Sequence, residues 1–194
     1  MPFSDESAPV AVVDYRAQWA VDFEQLAGTL RGALGDQAHA IDHVGSTAVP
    51  GLAAKDCVDI QIQVDTIDED RQVGLLSAIG FRCRPEPWNR AETSGGQQCR
   101  KLVFAPPVGA RRCNVHVRQV GGPNVRFALL FRDFLRADEA TRQAWGAFKK
   151  RLALSMPDLL DYGQIKAPAT AVLMAAADRW AAATGWQPAP VQAA

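Results

Sequence analysis

The segment Val58-Asp59-Ile60-Gln61-Ile62-Gln63-Val64-Asp65 alternates strictly between apolar and polar residues. A period of two over this length fits a half-buried strand and does not fit a helix. Val58, Ile60, Ile62 and Val64 then share the core face, and Asp59, Gln61 and Gln63 share the other. The residues before the strand add chemistry to it. Asp42-His43-Val44 forms a short strand, Gly45-Ser46-Thr47 a turn, and Pro50-Gly51 a second turn leading to Lys55. Gly45 lets backbone approach a ligand closely, while the Ser46 and Thr47 hydroxyls and nearby amides can donate to phosphate oxygens. Lys55 adds a point charge to that cradle. An isolated Gly-Ser-Thr is commonly a plain strand connection; the acidic strand behind this one points to a ligand site.

Local patterns set the rest of the chain. Phe23, Leu26, Ala27, Leu30 and Leu34 recur at helical spacing, which predicts a first helix ending near Gly35. Thr66 and Glu69 match a capping box and predict a helix from there to about Ala78. Pro85 to Gln98 is rich in turn residues and is expected to be a mobile flap. Strands are expected at Arg100–Ala105 and Arg112–Gln119, with helices following the Gly-Gly-Pro turn at Gly121–Pro123. This is an α+β pattern: a mixed sheet with helices packed on it and a helical C-terminal half. One domain over residues 11–186 is expected, with 1–10 and 187–194 as loose termini.

Composition removes several classes of function. At 194 residues and 48% hydrophobic content, a sizeable core is available. Equal counts of Lys+Arg and Asp+Glu, 21 each, argue against a DNA-binding protein. No apolar run is long enough for a membrane span, and the start lacks a signal pattern, so a cytoplasmic location is expected. Cys57, Cys83, Cys99 and Cys113 lie far apart, which favours reduced, buried thiols, and His39, His43 and His116 do not lie at zinc-finger spacing. Nothing in the sequence fixes the oligomeric state.

Charge is uneven locally. Between Glu92 and Asp133 no acidic residue occurs, whereas Arg100, Lys101, Arg111, Arg112, Arg118, Arg126 and Arg132 do. A basic strand pair beside the Gly-Ser-Thr turn makes a pocket for phosphate, unless these side chains pair with acids from elsewhere in the fold. In Asn114-Val115-His116-Val117-Arg118, the valines face the core and the three polar residues point the other way. If this strand lies beside that of Asp59, the two polar faces line one groove.

The string from His43 to Lys55, His-Val-Gly-Ser-Thr-Ala-Val-Pro-Gly-Leu-Ala-Ala-Lys, resembles the GrpB family of the DNA polymerase beta-like nucleotidyltransferase superfamily. It is also similar to the GrpB-like domain at the C-terminus of dephospho-CoA kinase in some actinobacteria. Asn114–Val117, Arg132–Arg136 and Tyr162–Lys166 resemble weaker family signatures, and together the similarities span Tyr15 to Trp186. The resemblance implies a nucleotidyltransferase-like sheet and a nucleotide or phosphorylated small molecule as ligand. Asp59 and His116 are the catalytic candidates. His43, Gly45, Ser46, Thr47, Lys55, Gln61, Arg100, Lys101, Arg118, Arg132 and Lys166 are the ligand-binding candidates, with Lys149 as a further anion contact. The superfamily pattern places two acids on one strand and a third on its neighbour, but here Gln61 and His116 stand at the second and third positions. Asp59 is left as the sole metal candidate, so Mg²⁺ has thin support.

Three functions follow. The chain binds a nucleotide or other phosphate-bearing small molecule without two-metal catalysis. Alternatively it is a transferase with a one-metal or metal-free site, using Asp59 as base or ligand and His116 as acid or base. Or it is a non-catalytic partner or regulatory domain linked to coenzyme A biosynthesis. A P-loop string is absent, so the chain itself is no P-loop kinase.

Overall fold

The computed structural model describes residues 3–6 and 9–189. In chain order the elements are β1 (Val12–Val13), α1 (Gln18–Leu34), β2 (Ala40–Val44), β3 (Ala54–Lys55), β4 (Val58–Val64), α2 (Glu69–Ala78), β5 (Arg82–Cys83), β6 (Ala91–Ser94), β7 (Gln97–Ala105), β8 (Cys113–Gln119), α3 (Pro123–Ala137), α4 (Glu139–Ser155) and α5 (Leu159–Thr184). The main sheet runs β2-β4-β8-β7-β5, and β6 also pairs with β7. Among the described residues only β4 and β8 are parallel neighbours; the other pairs are antiparallel. The fold is the α+β arrangement expected, with a helical C-terminal half.

The alternation in β4 becomes a two-sided sheet. Val58, Ile60, Ile62 and Val64 are fully buried with Val115 and Val117 of β8, beneath Trp19, Leu30, Leu34 and Leu76 of α1 and α2. Burying side chains of this size contributes roughly 1.5–3 kcal/mol each. The opposite face carries Asp59, Gln61 and Gln63, aligned in register with Asn114, His116 and Arg118. Helices α3 to α5 build their own core around Leu130, Phe134, Leu135, Trp145 and Ala177, joined by Val49 and Leu52 from the segment after the Gly-Ser-Thr turn. That shared packing brings the helical half over the polar face near the turn.

Several expectations change in three dimensions. Helix α2 is capped two residues later than anticipated: the Asp68 side chain accepts from the Arg71 amide, while the Thr66 carbonyl accepts from Gln72. The anticipated flap is a hairpin, in which β6 pairs with β7 through a Gly95-Gly96 turn with positive φ at both residues. In the anticipated loose leader, Val10 is buried with Leu152, Ala153 and Tyr162, and Glu6 pairs with Arg84. All four cysteines are free thiols, Cys113 buried and the other three half-buried. No helix of the described residues is long and apolar enough to cross a membrane.

Candidate functional site

Gly45 leaves β2 with φ 68° and begins a 3-10 turn over Ser46–Ala48. A Cβ here would lie 2.5 Å from Oδ2 of Asp59, so the absent side chain makes room for the carboxylate of β4. Asp59 Oδ1 accepts from Asn114 Nδ2 at 3.0 Å. Arg136 of α3 donates through Nε and Nη2 to the Ala48 carbonyl, fastening the turn to the helical half. Turn, strand and helix are thereby locked together.

Above them is a cavity of about 260 Å³, bounded by Ser46 and Thr47 of the turn, Lys55 of β3, Asp59 of β4, Asn114 and His116 of β8, Lys149 of α4, and Tyr162 and Lys166 of α5. The turn, the carboxylate and the imidazole expected to converge do so. Tyr162 and Lys166, one helical turn apart, present together, and the Lys55 ammonium lies 5.8 Å from the Tyr162 ring centre. Lys149 is 2% exposed. Its Nζ donates to Ser46 Oγ at 2.8 Å and to the Ala53 carbonyl.

Burial sets the protonation states. Lys149 is pulled down to about 6, by burial first and then by the charges of Lys166 and Lys55, against the pull of Asp59. Lys166 is lowered by burial and by Lys55. His116, its buried Nδ1 without a hydrogen-bond partner, is held at about 3 by burial and by Arg118 and Lys101. The imidazole is therefore neutral at physiological pH and able to accept a hydrogen bond, while the same burial opposes its protonation. Burial pushes the Tyr162 hydroxyl up to about 12, leaving it a donor. The cavity thus offers three lysines, the Ser46 hydroxyl, a phenol, one carboxylate and a neutral imidazole.

Other candidates are spent elsewhere. His43 lies on the opposite face of the sheet, in register with Ile60 and stacked on Phe23 with ring centres 4.7 Å apart. Its Nε2 is 3.0 Å from Thr47 Oγ1, so it orients the turn rather than touching the cavity. Burial, with the charges of Arg136 and Arg132, lowers it to about 4. Gln61 is fully buried, accepting from Arg118 and donating to Asp42. Arg118 and Lys101 share Glu92 of β6, at 3.0 and 2.9 Å. Arg100 donates to the Ile67 carbonyl, and Arg132 holds Asp133 and the His43 carbonyl. Arg111 pairs with Asp22 and Asp56, and Arg126 with Asp178. The basic interval is spent on acids and backbone carbonyls outside the cavity, several of them distant in sequence, and the cavity's cations come instead from β3, α4 and α5.

Two contributors are underrated by sequence reasoning. Lys149 lies on the apolar face of α4 defined by Trp145, Phe148 and Leu152, and a charge inside such a stripe is its signal. Asn114 stands two residues before His116 in the same alternation and is the partner of Asp59.

The donor set does not suit the divalent cation of the superfamily pattern. Among the described residues Asp59 is the only carboxylate lining the cavity, against three lysines. Among the described residues no three His, Cys, Asp or Glu side chains come together to hold a metal. A hard dication requires clustered anionic oxygens, and ammonium groups would repel it.

The fold and cavity define a mixed-sheet α+β protein with a lysine-rich recess where the glycine-serine turn meets the sheet. Sequence comparison identifies the particular lineage: the GrpB protein family model matches residues 9–175, and the chain belongs to that family. It is 34% identical to a dephospho-CoA kinase of Mycolicibacterium paratuberculosis, over 93% of this chain and 49% of that protein. It is 36% identical to a UPF0157 protein of Streptomyces coelicolor, over 83% and 80% of the two chains. The chain spans about half the length of the dephospho-CoA kinases it matches. The crystal structure of the conserved protein GrpB from Enterococcus faecalis superimposes with a TM-score of 0.73 at 27% identity, covering 88% of this chain and 99% of that one.

Proposed function

We propose that this chain binds a small phosphate-bearing molecule, such as a nucleotide, by its phosphate, and that ammonium groups rather than Mg²⁺ neutralise the ligand. The observation that carries this reading is the convergence of Lys55, Lys149 and Lys166 with Ser46 on a recess holding a single carboxylate. Lys149 is buried on two uncharged oxygens, with no carboxylate in contact. Burial holds this amine largely neutral at physiological pH, and an arriving phosphate supplies the counter-charge that favours its taking up a proton. The volume of about 260 Å³ suits a phosphate with its attached group and falls short of a whole drug-sized ligand. Asp59 and the neutral His116 line the recess where each would accept a hydrogen bond from a hydroxyl of the same molecule.

Inorganic phosphate and nucleoside triphosphates, with chelator present, are expected to raise the melting temperature, and Lys55→Met is expected to remove the shift without unfolding the protein. Absence of a shift across the panel would count against ligand binding. A second reading, a partner or regulatory domain for a coenzyme A-biosynthetic kinase, is favoured by the half-length match to dephospho-CoA kinases. Its test is whether the purified chain changes the activity or the thermal stability of such a kinase.

A further inference from the structure

Beside the lysine-rich cavity lies a second hollow of about 160 Å³, lined by Glu6, Lys55, Cys57, Arg84, Arg112 and Asn114 among others. Lys55, Cys57 and Asn114 also line the first cavity, so the two recesses share a wall. The second contains a buried guanidinium: Arg84 is 8% exposed and donates through Nη2 to the Glu6 carboxylate at 2.9 Å and to Asn114 Oδ1 at 3.3 Å. Arg112 donates to the Glu6 carbonyl at 3.1 Å. Asn114 in turn donates to Asp59. A continuous polar chain, Glu6–Arg84–Asn114–Asp59, therefore connects the hollows.

The anion on Arg84 comes from the N-terminal segment, which lies across a row of arginines. Phe3 stacks under Arg82 and Arg84, at 4.4 and 5.6 Å from the guanidinium carbons, and Asp5 pairs with Arg82 through both oxygens. Among the described residues Glu6 is the only carboxylate paired with Arg84. A carboxylate on a guanidinium uses the same planar fork that binds a phosphate.

We propose that Arg84 and Arg112 form a second anion subsite, that Glu6 fills it from within the chain, and that a ligand carrying two or more anionic groups displaces Glu6 to occupy both recesses. This rests on the reading of the first cavity as the seat of one phosphate. The favoured ligand class is then a polyphosphate-bearing small molecule over a monophosphate. Glu6 acts as an internal competitor, and apparent affinity for the polyphosphate is reduced by the fraction of molecules in which Glu6 is seated.

Calorimetric titration of the full chain with inorganic triphosphate and inorganic phosphate, in chelator, tests this. Glu6→Gln is expected to bind triphosphate at least about fivefold more tightly than wild type, with orthophosphate affinity changed less than about twofold. Arg84→Gln is expected to weaken triphosphate by a similar factor and leave orthophosphate as it was. Triphosphate affinity that is unchanged, reduced or undetectable in Glu6→Gln overturns the proposal, and so do equal gains for the two anions. Wild type that fails to bind orthophosphate refutes both this subsite and the first cavity's role, whereas orthophosphate binding with no Glu6 effect refutes the subsite alone.

Discussion

Replacing Lys149 by methionine separates the cost of burying its charge from everything else in the fold. The amine is 2% exposed, it contacts two uncharged oxygens, and its folded-state value is about 6 against an ordinary 10.5. Below pH 6 both the folded and the unfolded lysine are charged, so the burial cost is complete and constant. Above pH 6 the folded chain sheds the proton and the unfolded chain keeps it, so stability rises with pH until the unfolded lysine titrates near 10.5. Integrated from pH 6 to pH 8, this one group adds about 2 kcal/mol. Urea unfolding of wild type and Lys149→Met at pH 6, 7 and 8 reads the difference directly, and contributions of histidines common to both proteins cancel. The wild-type curve should climb about 2 kcal/mol more than the variant's across that range. Parallel curves would refute the assignment of a neutral buried amine.

The same linkage predicts that sulfate, which does not titrate in this range, binds more tightly as pH falls from 8 to 6, with uptake of a proton read by calorimetry in two buffers of different ionisation enthalpy. Gly45→Ala meets both a positive φ and the Asp59 carboxylate. It should cost about 2–3 kcal/mol in urea unfolding, and combining it with Asp59→Ala should return part of the loss if the contact is the cause. Burial alone would raise the Glu92 carboxyl, but Arg118 and Lys101 outweigh it and hold Glu92 at about 2. Its stabilisation is therefore present above the ordinary carboxylate range and lost as pH falls toward 2, so Glu92→Gln should flatten acid unfolding between pH 4.5 and 2, read by circular dichroism.

What the sequence made legible was local. The alternation of β4 and β8 and the glycine of the turn report on neighbours within a few residues, and the resulting strands and turn bring Asp59, His116 and Ser46 to one cavity. The basic interval misled because charge pairing is settled by distant segments: Glu92 reaches Arg118 only once β6 folds back on β7, and Asp22 reaches Arg111 from α1. Turn-rich composition between Pro85 and Gln98 resembled a flap because a four-residue strand is too short to show a clear period. The Glu6 anchor carried no periodic signal, since it is held by an ion pair and not by a patterned face.

The notch at Gly45, filled by the carboxylate of Asp59, has a bearing on how the recess can respond to a guest. Backbone and strand interlock there with no slack, and Arg136 bolts the same bend from the other side. The floor of the chamber is consequently stiff. On the proposed reading, any accommodation to an incoming molecule would be made by the wall that carries Lys149, Tyr162 and Lys166, so the two C-terminal helices would adjust the width of the recess and the position of two of its three lysines together.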